Sequence, residues 1–183
     1  MKNKKIRISK YLHELHGEYS DIFTLAGTYF AGITGGIIAV FFTSRLYLPF
    51  WKTILLSVLF ADIAGGVVAN FSSSTREYYQ ANSKLRLPFI LIHIIHPVLL
   101  IMLFPGFAEY FIYAGLFTIV GCLIVIRISI HEIQQTTALL MFLIGTLLSF
   151  CFKTPAIFIY SIAPLFMAKL ILGFSVCVPT NEK

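Results

Sequence analysis

The sequence predicts an all-α integral membrane protein: a bundle of about six transmembrane helices with both termini cytosolic and a short amphipathic N-terminal surface helix. Three observations predict it. Hydrophobic residues fill 58% of the 183 positions and charged residues only 12%, too few charges to cover a soluble domain. The apolar residues fall in blocks of roughly 18–22 positions, the length a helix needs to cross about 30 Å of hydrocarbon. The blocks do not alternate polar with apolar, which argues against the strands of a membrane barrel. The mean hydropathy is +0.86. A single helical domain over residues 22–174 is expected, between a basic N-terminal segment (1–21) and a short cytosolic tail (175–183).

The N-terminal segment carries Lys2, Lys4, Lys5, Arg7 and Lys10. A cleaved leader would follow such a cluster at once with a short apolar core. Here the apolar run starts only near Ile22 and has full spanning length, so it reads as a retained helix. Between the two, Ile8, Tyr11, Leu12, Leu15 and Tyr19 recur at helical spacing among Lys10, His13, Glu14 and Glu18. That is the pattern of an amphipathic helix lying on a membrane surface.

The expected spans are Ile22–Thr43, Trp51–Phe71, Leu87–Phe104, Phe107–Ile126, Thr136–Phe152 and Pro155–Phe174. Pro88 and Pro155 stand at first turns, where a helix tolerates proline. Pro49 and Pro105-Gly106 mark turns. Basic residues in the short loops set the orientation. With the N-terminus inside, the cytosolic side holds Lys2, Lys4, Lys5, Arg7, Lys10, Arg76, Lys84, Arg86, Arg127 and Lys183; the outer side holds Arg45, Lys52 and Lys153. Lys169, within the last span near its inner end, is expected to snorkel inward.

An internal repeat joins the first two spans. Residues 30–41 (FAGITGGIIAVF) match residues 60–71 (FADIAGGVVANF) at seven of twelve positions. Small residues at four-residue spacing let helix backbones approach closely, so two antiparallel helices packed through matching faces is one reading. The other is a duplicated element whose second copy acquired function, because Asp62 replaces the equivalent of Gly32 and Asn70 that of Val40.

A charge inside a span is costly and faces a cavity or a partner. Asp62 is the only acid deep in a span, about 13 Å from the inner end of its helix. His93 and His96 share a face of the next helix, about 9 and 14 Å from its inner end, so Asp62 and His96 reach similar depth and can meet. Pro97 lacks an N–H and frees the carbonyl of His93 beside both imidazoles; Pro164 does the same for Tyr160. These residues admit three readings. Asp62, His93 and His96, with His131 as a further candidate ligand, would bind zinc or another divalent metal and leave a position open for water. Alternatively they relay protons or ions, or they only brace the bundle. Asn70, Ser74, Arg76 and Arg86 are the expected substrate-binding residues, since Arg76, Lys84 and Arg86 in the polar loop suit headgroup phosphates.

The expected function is accordingly a catalytic Asp62, His93 and His96 centre acting on a lipid or other amphiphile from the inner leaflet of the cell membrane. A small transporter or transporter subunit and an accessory protein are the alternatives. The bilayer, an amphiphilic substrate, a second copy and a membrane partner subunit are the expected partners. The net charge of +6 is spent on orientation, so nucleic acid is not expected. Cys122, Cys151 and Cys177 form no C-x-x-C pair and read as apolar fillers. The pattern of membrane Asp and His resembles membrane-embedded metal hydrolases of the ceramidase type, but no residue is carried over from them. Six spans in so short a chain resemble, in size alone, the substrate-binding subunits of vitamin transporters.

Overall fold

The computed structural model describes residues 5–153 and 157–179. Among these, four helices are long and apolar enough to cross a membrane: Ile22–Arg45, Phe50–Phe71, Ser83–Leu103 and Pro105–Val125. The chain is therefore an α-helical membrane protein. A shorter apolar helix covers Phe158–Phe174. The expected start of the last span at Pro155 and the residues beyond Pro179 lie outside the described residues.

The N-terminal segment differs from expectation. Strand β1 (Lys5–Arg7) pairs antiparallel with β2 (Tyr19–Asp21), with Lys5 opposite Asp21 and Arg7 opposite Tyr19. Between them lie a 3-10 turn (Lys10–Leu12) and α1 (His13–His16). The expected amphipathic surface helix is thus a helical turn held in a two-stranded clasp. Its early end has a local cause: Gly17 adopts φ +71°, where a side chain would be strained and would run into Ser74. The clasp docks on α4 (Ser73–Ala81) through Ser74 Oγ donating to the His16 carbonyl at 2.6 Å and Thr75 Oγ1 donating to the Leu15 carbonyl at 2.9 Å. His16 is buried, with Nε2 3.1 Å from the Tyr29 hydroxyl.

Helix α2 (Ile22–Arg45) is capped by Asp21, whose carboxylate accepts the Thr24 N–H at 2.9 Å and the Thr24 hydroxyl at 2.7 Å. Helix α3 (Phe50–Phe71) returns antiparallel along it. The repeat supplies the packing surface. A Cβ on Gly35 would stand 2.8 Å from both Ala64 Cβ and the Phe60 carbonyl oxygen, and one on Gly32 would stand 3.2 Å from the Ala61 carbonyl oxygen. Backbone-to-backbone contact of this kind gains dispersion where hydrocarbon tails leave no hydrophobic drive between helices.

The third apolar run is broken into α5 (Arg86–Ile92) and α6 (Ile95–Leu103). Pro97 is the cause. The His93 carbonyl, deprived of a partner four residues on, accepts the His96 N–H at 3.1 Å instead. Gly115 of α7 (Ala108–Val125) leaves room for the proline ring, since a Cβ there would lie 2.6 Å from Pro97 Cγ. Helix α8 (His131–Ser149) starts five residues before its expected apolar limit at Thr136. Then α9 (Ile157–Tyr160) and α10 (Ile162–Met167) are divided by Pro164, and Tyr110 Oη donates to the freed Tyr160 carbonyl at 3.0 Å. The chain continues as a π-helix (Ala168–Phe174). The C-terminal segment is tied down as far as it is described: Cys177 N–H donates to Gln134 at 2.8 Å and Val178 N–H to Gln80 at 3.2 Å.

Two expectations follow. Gly35→Val should destabilise the fold by about 1–3 kcal/mol through overpacking, read as a lowered midpoint of thermal unfolding in detergent. Gly106→Ala should not, because nothing lies within 4 Å of a Cβ there. Burial holds the His16 pKa below its ordinary 6.5, so the unfolded chain takes up the proton more readily than the folded one. Docking of the clasp is then fully stable above about pH 6.5 and weakens as pH falls below it. Amide exchange across residues 5–21, corrected for its intrinsic pH dependence, should accelerate from pH 7.5 to 5.5, and His16→Gln should remove most of that change.

Candidate functional site

Asp62 lies on α3, and two other helices converge on one of its oxygens. Oδ2 accepts from His96 Nε2 at 2.6 Å and from Lys169 Nζ at 2.5 Å. The three side chains differ sharply in exposure: 46% for Asp62, 10% for His96 and 3% for Lys169. Both nitrogen groups thus stand behind the carboxylate, and its second oxygen is left facing outward.

Each neighbour is placed by its own local device. Lys169 sits at the start of the π-helix and reaches Asp62 across α3 at Gly66, where a Cβ would fall 2.9 Å from Nζ and 2.8 Å from Cδ. Asn70, one turn further on, donates from Nδ2 to the Lys169 carbonyl at 3.0 Å. The two polar substitutions of the second repeat copy therefore hold the same lysine, one by its ammonium and one by its backbone. His96 is presented by the break at Pro97, with Nδ1 3.3 Å from the His93 carbonyl. His93 lies parallel to it, ring centroids 5.1 Å apart, but turns Nδ1 to the Phe89 carbonyl at 2.6 Å.

The exposed face of Asp62 opens into a groove of about 820 Å³ between α2 and α3. Ile33, Ile37, Val40 and Phe41 form its apolar wall, and Gly32, Gly36, Gly65 and Gly66 form a floor without side chains. Leu15 of the clasp and Tyr29 stand at one end and Ser44 at the other. Thr28, also in the lining, is buried with its hydroxyl unpartnered among the described residues.

The other expected site residues lie elsewhere. Asn70 is 2% exposed and serves Lys169, so it is closed to a substrate. Ser74 holds the clasp through the carbonyls of His16 and Tyr19. Arg76 donates to the Phe71 carbonyl at the end of α3. Arg86 donates to the Ser175 carbonyl at 2.9 Å and to Cys177 Sγ at 3.2 Å. His131 opens α8, with Nδ1 buried and unpartnered among the described residues. The expected metal centre of Asp62, His93, His96 and His131 is not formed: among the described residues no three His, Cys, Asp or Glu side chains are arranged to hold an ion. Lys169 and His96 share one Asp62 oxygen, and His93 is turned to backbone.

Lys169 is the residue sequence reasoning missed. It does not snorkel; it is 2% exposed because the carboxylate solvates it inside the bundle. The available signal was charge balance, since Asp62 is the one acid and Lys169 the one lysine or arginine lying more than a turn inside an expected span.

Fold and site together define an α-helical membrane protein with an ion-paired carboxylate opening onto a groove. No family model, curated protein or solved structure matches the chain.

Lys169→Met should destabilise the protein by about 1–3 kcal/mol, because it leaves the half-exposed Asp62 carboxylate with His96 as its one partner among the described residues. Asp62→Asn should cost a similar amount by stranding the lysine. The double variant should lose clearly less than the sum, and a double-mutant cycle on unfolding in detergent measures the difference. Additive losses would mean that the two groups do not stabilise each other.

Proposed function

We propose that this protein is a multi-pass membrane carrier, or the membrane subunit of one. It takes an amphiphile into the α2–α3 groove and couples its passage to a proton on the Asp62, His96 and Lys169 group. The observation that carries this reading is the half-exposed carboxylate on the groove with the imidazole of His96 and the amine of Lys169 buried behind it. An acid–base enzyme would want a second reacting group on the groove side, whereas the imidazoles of His93 and His96 are engaged with backbone carbonyls and with Asp62 itself. Membrane-embedded charges of this kind suit proton and ion paths.

The coupling follows from electrostatics. A proton arriving on Asp62 from the groove removes the charge that solvates Lys169, leaving a buried ammonium at high cost. The group must then relax by moving Lys169 or by releasing the proton. Lys169 sits on a π-helix, a backbone form common where function demands adjustment. An amphiphile seated beside Asp62 alters its access to protons, so occupancy and protonation bias each other. The groove's apolar wall suits an acyl or prenyl chain, and Asp62 suits a head group that donates a hydrogen bond.

In this reading six spans cross the cell membrane: α2, α3, the broken pair α5–α6, α7, α8, and the run from α9 through the π-helix. The clasp and both termini face the cytosol, in keeping with the bias of basic residues.

Amphiphiles extracted from purified protein, identified by mass and offered to proteoliposomes under an imposed proton gradient, test the proposal. The wild type should accumulate the extracted compound with the gradient. Ala61 also lines the groove, and Ala61→Leu, which fills it, should lower the bound amount several-fold. Asp62→Asn combined with Lys169→Met should still bind but lose the response to the gradient. Gradient-driven accumulation in that double variant, or equal loading of Ala61→Leu, would overturn the proposal.

A further inference from the structure

We propose a second binding site, of opposite charge, in which Arg76, Gln135 and Thr136 hold the phosphate of an anionic phospholipid. It does not depend on the carrier reading. A separate cavity of about 390 Å³ lies where α4, the first turns of α8 and the end of the π-helix meet. Arg76 lines it from α4 and Gln135 and Thr136 line it from α8, while Phe71, Leu139 and Leu172 form its apolar side.

Arg76 is primed for an anion. Its Nη2 is anchored on the Phe71 carbonyl, and its carbon Cζ lies 6.0 Å from the Phe71 ring centroid. Its Nε is buried without a hydrogen-bond partner among the described residues. No carboxylate pairs with it there, since both ion pairs among the described residues end on Asp62. Partial burial disfavours the charged guanidinium, a penalty that a bound phosphate would offset. Gln135 and Thr136 are exposed and add donors to the same cavity.

A lipid fits better than a free anion because the cavity straddles a change of polarity. Helix α8 runs from His-Glu-Ile-Gln-Gln-Thr-Thr into Ala-Leu-Leu-Met-Phe-Leu-Ile, and the cavity takes Gln135 and Thr136 from the first stretch and Leu139 from the second. Leu139 and Phe71 are 51% and 43% exposed, so an acyl chain below the phosphate has apolar surface to lie on. Arg86, the other arginine expected to meet phosphates, is occupied by Ser175 and Cys177.

Native mass spectrometry of the full chain in detergent, titrated with short-chain phosphatidylglycerol, phosphatidylcholine or inorganic phosphate, decides the matter. Phosphatidylglycerol should bind the wild type about tenfold more tightly than phosphatidylcholine. Arg76→Gln should abolish that preference. The double variant Gln135→Leu with Thr136→Val, at exposed positions that leave the Arg76 anchor intact, should weaken it several-fold. Gly106→Ala, at a position that lines neither cavity and has open space around its Cβ, should leave it unchanged. An undiminished preference in both the Arg76 and the Gln135/Thr136 variants, or inorganic phosphate competing as well as the lipid, would overturn the proposal.

Discussion

The contact between Asp62 and Lys169 is the constraint on which the rest of the structure depends. Neither charge is tolerable alone in an apolar bundle, and each replaces the water the other has lost. The pair joins α3 to the last helical run and so fixes the rotation of that run about its own axis. Gly66 must lack a side chain for the lysine stem to pass, and Asn70 must bind the lysine carbonyl. His96 then completes the oxygen's partners, which it can do only because Pro97 breaks its helix. A proline, a glycine and an asparagine on two helices are thus explained by one carboxylate.

The repeat shows how a packing element can be turned into a site. Both copies keep the paired glycines, and in both these face a neighbour: Gly35 and Gly36 pack against α3, Gly65 against α2, and Gly66 against Lys169. The first copy stays apolar at the positions where the second carries Asp62 and Asn70. The absence of side chains along the shared face also leaves the groove floor open, so close packing and access to the carboxylate come from the same small residues. The clasp closes one end of this groove with Leu15. That contact links the N-terminal clasp, and the buried His16 beside Tyr29, to the groove onto which the carboxylate opens.

Much of this was legible in the chain itself. Blocks of apolar residues of spanning length dictate helices, because hydrocarbon leaves the backbone no other way to satisfy its hydrogen bonds. The meeting of Asp62 with His96 was legible too: consecutive antiparallel helices bring residues of similar depth together, and a proline one position after His96 marks the break. Pro164 and the freed Tyr160 carbonyl follow the same rule, with Tyr110 as the partner the sequence could not name.

Local pattern settled the helical class, the in-span carboxylate and its imidazole partner, because each depends on spacing along one or two neighbouring helices. Tertiary structure alone decided that Lys169 turns inward, that His93 faces Phe89 and not a metal, and that Asn70, Ser74 and Arg86 are spent on holding backbone. It also decided that residues 5–21 form a clasp, since that depends on Gly17 meeting Ser74 on a distant helix. These outcomes rest on helix rotation and on contacts between residues far apart in the chain, and periodicity along a single helix carries no information about either.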